Sequence, residues 1–110
     1  MGNRDRTYLE HILRAARAIQ RSAANGKEAF LTDEDAYDAG LRRLHTIAES
    51  TQRLSREVRH RHPAIPWTMI AGFRNRIVHA YMDVDPDLVW TVIEDDLPAL
   101  VRMASDELSG

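Results

Sequence analysis

Apolar residues recur at spacings of three and four along nearly the whole chain, and no segment alternates apolar and polar residues with turn signals on both sides. Such spacing lines up on one face of an α-helix, whereas a half-buried strand needs a period of two. The chain therefore reads as all-α. From about Asp5 to Asn25 the first stripe is Leu9, Ile12, Leu13, Ala16, Ile19 and Ala23, and Asn25-Gly26 is its stop signal. Thr32 followed by Asp33, Glu34 and Asp35 predicts an N-cap with acids in the first turn. It opens a second helix of about seven turns, striped by Tyr37, Leu41, Leu44, Ile47, Ala48, Leu54 and Val58. Pro63 and Pro66 end that helix and start a third, from about Pro66 to Tyr81, because proline cannot continue a helix but suits its first turn. Asp85 before Pro86 repeats the device for a fourth, striped by Val89, Ile93, Leu97, Leu100, Ala104 and Leu108. Pro98 is expected to kink this last helix near Glu94 or split it in two. Four such helices on short connections cover their stripes only against one another, so the expected architecture is an antiparallel up-down four-helix bundle, a single domain over residues 1–110.

Composition narrows the function classes. A chain of 110 residues buries roughly two-thirds of its unfolded surface, enough for one core without staples. The absence of cysteine excludes a disulfide framework, a thiolate zinc site and a cysteine nucleophile, and fits a reducing compartment. No apolar run approaches the roughly 20 residues that span a bilayer, and Met1 to Glu10 are polar and charged, so a cytoplasmic protein with no membrane partner is expected. The net charge of -2 argues against a surface that coats nucleic acid throughout, yet the charge is segregated. Basic residues stand against acidic ones at 8 to 8 in residues 1–52, 6 to 1 in residues 53–80 and 1 to 8 in residues 81–110. Of the 15 basic residues only Lys27 is lysine; arginine is the better bidentate phosphate ligand, although a genome rich in G and C yields the same bias.

The third helix carries the residues with the most chemistry. At about 100° per residue, Ile70, Phe73, Ile77 and Ala80 form its core arc, with Arg74 beside it. The far side is a small polar stripe of Thr68, Gly72, Asn75 and His79. Gly72 costs a helix about 1 kcal/mol relative to alanine, so another helix or a ligand is expected to approach the backbone there. Taken alone, Arg74 is either a structural arginine or a phosphate ligand, and His79 either a surface histidine or an acid–base group. Tyr81 projects about 160° from His79, which places it in the core or at the end of the helix. Glu49 is assigned no role and is expected to be solvated or paired. His60-x-His62 is half a metal site with no third ligand in view, and no metal is assigned. Arg53, Arg56, Arg59 and Arg61 either guide a polyanion or form a solvated face. Trp67 and Trp90 are expected to pack.

Together these residues resemble a known family. Arg74-Asn75-x-x-x-His79-x-Tyr81 is similar to the Arg-x4-His-x-Tyr signature of HEPN-domain proteins of the HepT group. Asp5-Arg6, the run Ile47 to Ser55, the junction His62-Pro-x-Ile-Pro-Trp67, and Val89-Trp90 leading to Asp96-Leu-Pro98 resemble the same family in order and spacing, over nearly the whole chain. Arg76 and Ala80 depart from it at variable positions. The resemblance implies a HEPN-type bundle and a ribonuclease toxin that works as a homodimer, cleaves RNA without a metal or cofactor, and belongs to a type II/VII-like toxin–antitoxin pair. It implies Arg74 and His79 as the catalytic pair and Asn75 as a polar support. It also implies a minimal nucleotidyltransferase antitoxin that transfers AMP from ATP to Tyr81. One histidine cannot both take and give a proton in a concerted step, so a two-fold interface through Gly72, Asn75 and His79 would supply the second. The alternative is a non-catalytic helical module that binds a nucleotidyltransferase or a nucleotide with the same motif.

Overall fold

The computed structural model describes the backbone of residues 2–79 and 83–110, and the side chains of these except Val78 and His79. It is all-helical among the described residues. Helix α1 (Asn3–Ser22) packs along α3 (Glu34–Arg53) and α7 (Leu97–Ser109), and α3 in turn carries α5 (Trp67–His79). The short α2 (Lys27–Thr32) and α4 (Arg56–Arg61) extend the connections, and α6 (Pro86–Thr91) leads into α7. At 1.5 Å per residue a 20-residue helix is about 30 Å long, and the molecule measures 40 × 27 × 22 Å. Successive long helices therefore have to reverse and lie side by side, which is the up-down bundle. Among the described residues no helix is long and apolar enough to cross a membrane.

The core is the sum of the stripes. Leu9, Ile12, Ala16 and Ile19 of α1 are sealed from solvent, as are Val89, Leu97 and Ala104 near the C-terminus. Leu41, Leu44, Ile47 and Ala48 of α3 complete the centre, and Ile70, Phe73 and Ile77 bury the expected arc of α5. Burying one large aliphatic side chain contributes roughly 1.5–3 kcal/mol, so these faces suffice to orient the helices.

Three departures from the expected elements have local causes. Six residues after Gly26, whose φ of 99° sets the turn, form α2 as a helix too short to show periodicity, and Thr32 closes it by donating to the Glu28 carbonyl at 2.7 Å. The N-cap of α3 is consequently Asp33, which accepts from the Ala36 N–H at 3.0 Å, and not Thr32. The expected second helix is also broken. Leu54 turns to an extended ψ of 146°, and Ser55 caps α4 by accepting from the Val58 N–H at 3.3 Å. The Asp5 carboxylate, 9 % exposed, accepts the Ser55 N–H at 2.8 Å, so α1 holds the break open from the side. This separates Arg53 from Arg56, Arg59 and Arg61, and the four arginines do not form one helical face.

The fourth helix behaves as Pro98 requires. Proline offers no N–H to the carbonyl four residues back and its ring clashes there. The chain widens into a π-helical turn, Val92–Asp96, in which the Leu97 N–H bonds to the Val92 carbonyl before α7 resumes. At its other end Asp85 caps α6 by accepting from the Asp87 N–H at 2.9 Å, with Pro86 in the first turn.

Phe30 from α2 inserts between α3 and α6, with Tyr37 and Trp90 at ring distances of 6.4 and 6.0 Å, and Gly40 leaves room for it. A Cβ on Gly40 would lie 2.7 Å from Phe30 Cζ, and the ring is 1 % exposed with little freedom to move. Gly40→Ala should therefore destabilise the fold by about 1–3 kcal/mol through overpacking. Thermal unfolding checks this: a melting temperature equal to the parent's or higher would show that the ring adapts.

The C-terminal helix is tied down by charge. Arg61 forks onto Glu107 with its Nε at 3.0 Å and Nη2 at 2.7 Å, and His62 Nε2 lies 2.7 Å from the same carboxylate. The Arg61 hydrogen bonds, reinforced by His62 and opposed by burial, lower the Glu107 carboxyl from 4.5 to about 2. A depressed carboxylate contributes stability above its unfolded value, and loses it as pH falls through the folded one. Glu107→Gln should thus cost roughly 2–3 kcal/mol at pH 6, shrinking between pH 4.5 and 2. Urea unfolding of both proteins across that window tests it, and a pH-independent difference would remove the ion pair as the cause.

Candidate active site

Helix α5 begins where Pro66 accepts the Ile70 N–H, at 3.0 Å, and the indole N–H of Trp67 anchors the turn by donating to the His62 carbonyl at 3.0 Å. The apolar arc then fixes the rotation of the helix on α3. Arg74, one residue beyond the buried Phe73, is carried to the edge of that contact and meets Glu49 of α3. Its Nε donates to Glu49 Oε1 at 2.6 Å and its Nη2 lies 2.5 Å from the same oxygen, each side chain being 30 % exposed. Nη1 donates to Asn75 Oδ1 at 3.1 Å. The Arg74 hydrogen bond, working against partial burial, holds the Glu49 carboxyl below the usual carboxylate range, and the charges of Arg74 and Arg53 add to this. Glu49 is thereby a fixed negative partner at neutral pH.

Asn75 thus contacts Arg74, and Glu49, given no role from the sequence, is the stronger partner. His45, one turn before Glu49, comes within 3.6 Å of its Oε1, beyond hydrogen-bond distance, and its Nε2 is sealed from solvent with no partner among the described residues. The signal for this group was the His45-x3-Glu49 spacing on one face of a helix, beside an apolar stripe. A guanidinium has five N–H donors. Glu49 takes two and Asn75 one, which leaves one N–H on each terminal nitrogen uncommitted among the described residues. An arginine held in this way presents a preset fork to an anion without having to order its own side chain. The pair sits in a cleft of about 650 Å³ that is also lined by Gln52, Arg53, Ser55 and Arg4.

His79 is the last residue of α5, so its backbone is one turn beyond Asn75. Its side chain lies outside the described residues, as does Tyr81 altogether. Gly72 is exposed, and a Cβ there would meet nothing within 4 Å. The close approach expected at Gly72 is therefore not made by another helix among the described residues. The neighbouring surface is apolar: Met69 is 56 % exposed, and a groove of about 410 Å³ runs beside it between Leu44, Phe73, Leu88 and Leu97. Two other sequence candidates are absorbed by structure. Arg61 and His62 are bound to Glu107, and among the described residues no group of three histidine, aspartate or glutamate side chains could hold a metal ion.

Comparison with known proteins identifies relatives of the chain. The family described as ribonuclease HepT-like matches residues 12–106. A protein of Caldanaerobacter subterraneus subsp. tengcongensis, named as a candidate RNase, is 34% identical over 104 residues, covering 94% of this chain and 93% of that one. A protein of Thermococcus cleftensis, named as a candidate ribonuclease HepT, is 33% identical over 94 residues, covering 84% of this chain and 86% of its own length. A third, from Methanocaldococcus jannaschii and also named as a candidate RNase, is 28% identical over 104 residues, 93% of this chain and 95% of that one. No solved structure matches the chain.

Proposed function

Because this chain belongs to the HepT-like ribonuclease family, we propose that it is a ribonuclease toxin that cleaves RNA without a metal, with Arg74 holding the scissile phosphate and His79 moving the protons. The substrate class follows from the family, and the residue roles follow from their chemistry. The observation that carries the reading is the Arg74 guanidinium, fixed by Glu49 and Asn75 at the lip of a cleft with two N–H groups to spare. In the reaction an imidazole takes the proton from a ribose 2′-OH, and the 2′-oxygen attacks phosphorus. The bond to the 5′-oxygen breaks, and a protonated imidazole supplies the proton that this oxygen needs. The products are a 2′,3′-cyclic phosphate and a free 5′-OH. Arg74 would stabilise the charge that builds on the non-bridging oxygens.

A homodimer completes the proton inventory. Its support is the open space above Gly72 and the exposed Met69 beside the apolar groove. Close packing of two α5 helices there, through Gly72, Asn75 and His79, would bring a second His79 to the same cleft. Control is assigned to Tyr81, as the acceptor of AMP from a nucleotidyltransferase antitoxin.

The test is cleavage of RNA by the purified protein in excess chelator, with the product ends identified. Arg74→Lys keeps the charge but cannot fork onto Glu49 and phosphate at once, so cleavage should fall roughly tenfold to a hundredfold while the fold persists. Equal activity for Arg74→Lys would reduce Arg74 to a point charge. Binding without cleavage by the parent would turn the assignment to a non-catalytic module.

A further inference from the structure

The cleft that holds the Arg74–Glu49 pair extends well past it. Its wall runs from Arg74 on α5 through Gln52 and Arg53 at the end of α3, over the Leu54–Ser55 break, to Arg4 and Asp5 of α1. Three guanidinium groups from three helices thus border one space in a chain whose net charge is -2. The two carboxylates on the same wall are both committed: Glu49 to Arg74, and Asp5 to the Ser55 N–H at 2.8 Å. Neither Arg4 nor Arg53 forms an ion pair with a carboxylate among the described residues. Both instead lie against the ring of Tyr8, each guanidinium carbon 6.0 Å from its centroid. Tyr8 is itself fixed, partly buried against the core and edge-on to His11 at 5.8 Å. A cation near an aromatic face is attracted to it without giving up its N–H donors. Arg4 and Arg53 are thereby placed and remain able to bind an anion.

We infer that Arg4 and Arg53 form a second phosphate subsite, which holds the RNA backbone one or more nucleotides away from the phosphate held by Arg74. The inference rests on the ribonuclease reading of Arg74 given above. A space of about 650 Å³ is of the size that takes a nucleotide. Arginine is suited to the task, since its planar fork meets two phosphate oxygens at once. The subsite reads no base; it sets how the strand lies, and its contribution is to affinity for substrates long enough to reach it.

The experiment compares the parent with the double variant Arg4→Gln/Arg53→Gln, which keeps most of both side-chain stems. Two substrates are used: a dinucleoside monophosphate, which has only the scissile phosphate, and a short single-stranded oligoribonucleotide. On the dinucleoside, where Arg53 acts only through its charge near Glu49, the loss in kcat/KM should stay well below the loss on the oligonucleotide. On the oligonucleotide its KM should rise about tenfold or more with kcat unchanged, because only uniform binding is lost. The slope of log affinity against log salt should also fall by about 0.7, since each phosphate held on a single strand contributes about 0.7. An unchanged KM and salt slope on the oligonucleotide would overturn the subsite. So would an equal loss on both substrates, which would make the two arginines structural supports of the Arg74 site. If the parent cleaves neither substrate, the ribonuclease reading fails instead. Fluorescence anisotropy of the labelled oligonucleotide then decides the subsite by the same difference in affinity and salt slope.

Discussion

His79→Ala should abolish RNA cleavage to within roughly 10²–10⁴-fold below the parent while leaving affinity for the uncleaved strand close to unchanged. The magnitude is that of removing a positioned acid–base group. The separation of effects follows from the division of labour proposed for the site: the guanidinium groups bind phosphate and the imidazole moves protons. A histidine titrates near neutrality, so the parent should show a bell-shaped pH profile for kcat/KM, one limb for the imidazole that must be neutral and one for the imidazole that must be charged. In the variant both limbs should vanish from whatever activity survives. The measurement is single-turnover cleavage from pH 5 to pH 9, with RNA binding followed alongside. Cleavage within tenfold of the parent, with the bell intact, would assign the titrating groups elsewhere.

Tyr81→Phe should convert a protein that its partner and ATP inactivate into one they do not. An adenylyl group adds an anionic diester and a base to the phenolic oxygen. Two residues past His79, that charge would compete for Arg74 and repel the incoming RNA phosphate. Phenylalanine removes only the oxygen, so the variant should fold and cleave like the parent. Intact-mass measurement after incubation with the nucleotidyltransferase and ATP should show adenylyl increments on the parent and none on the variant. Residual RNase activity should fall for the first and hold for the second. Modification of both proteins, or of neither, would move the control to another residue.

The sequence made most of the bundle legible because each stripe reports its own helix. Even the disturbance at Pro98 could be placed, since the missing N–H and the clash with Glu94 are local facts. What escaped was non-local. Leu54 and Val58 continue the stripe of α3 across the break, so nothing in the periodicity marks it; the break depends on Asp5, fifty residues earlier, reaching the Ser55 N–H. In the site, Arg74 and Asn75 stand next to each other and could be read as a unit. Glu49 is 25 positions away on another helix, and only the packing of α3 on α5 shows that its carboxylate is what holds the guanidinium. At Gly72 the expected close approach is not made by any of the described residues.

The π-turn at Val92–Asp96 has a bearing on how this helix tolerates insertions and deletions. Val89, Ile93 and Leu97 are spaced by four, and in an unbroken α-helix each such step drifts by about 40° from the face before it. The wider turn absorbs that drift, so that Leu97, Leu100, Met103 and Ala104 still point into the core after Ile93 has done so. Deleting one residue there would restore an ordinary helix in nearly the same phase, whereas straightening the turn at its present length would rotate everything downstream by about 100°. The apolar face of α7 would leave α1, and Glu107 would swing away from Arg61 and His62. The width of this turn is thus as much a part of the fold's specification as its side chains.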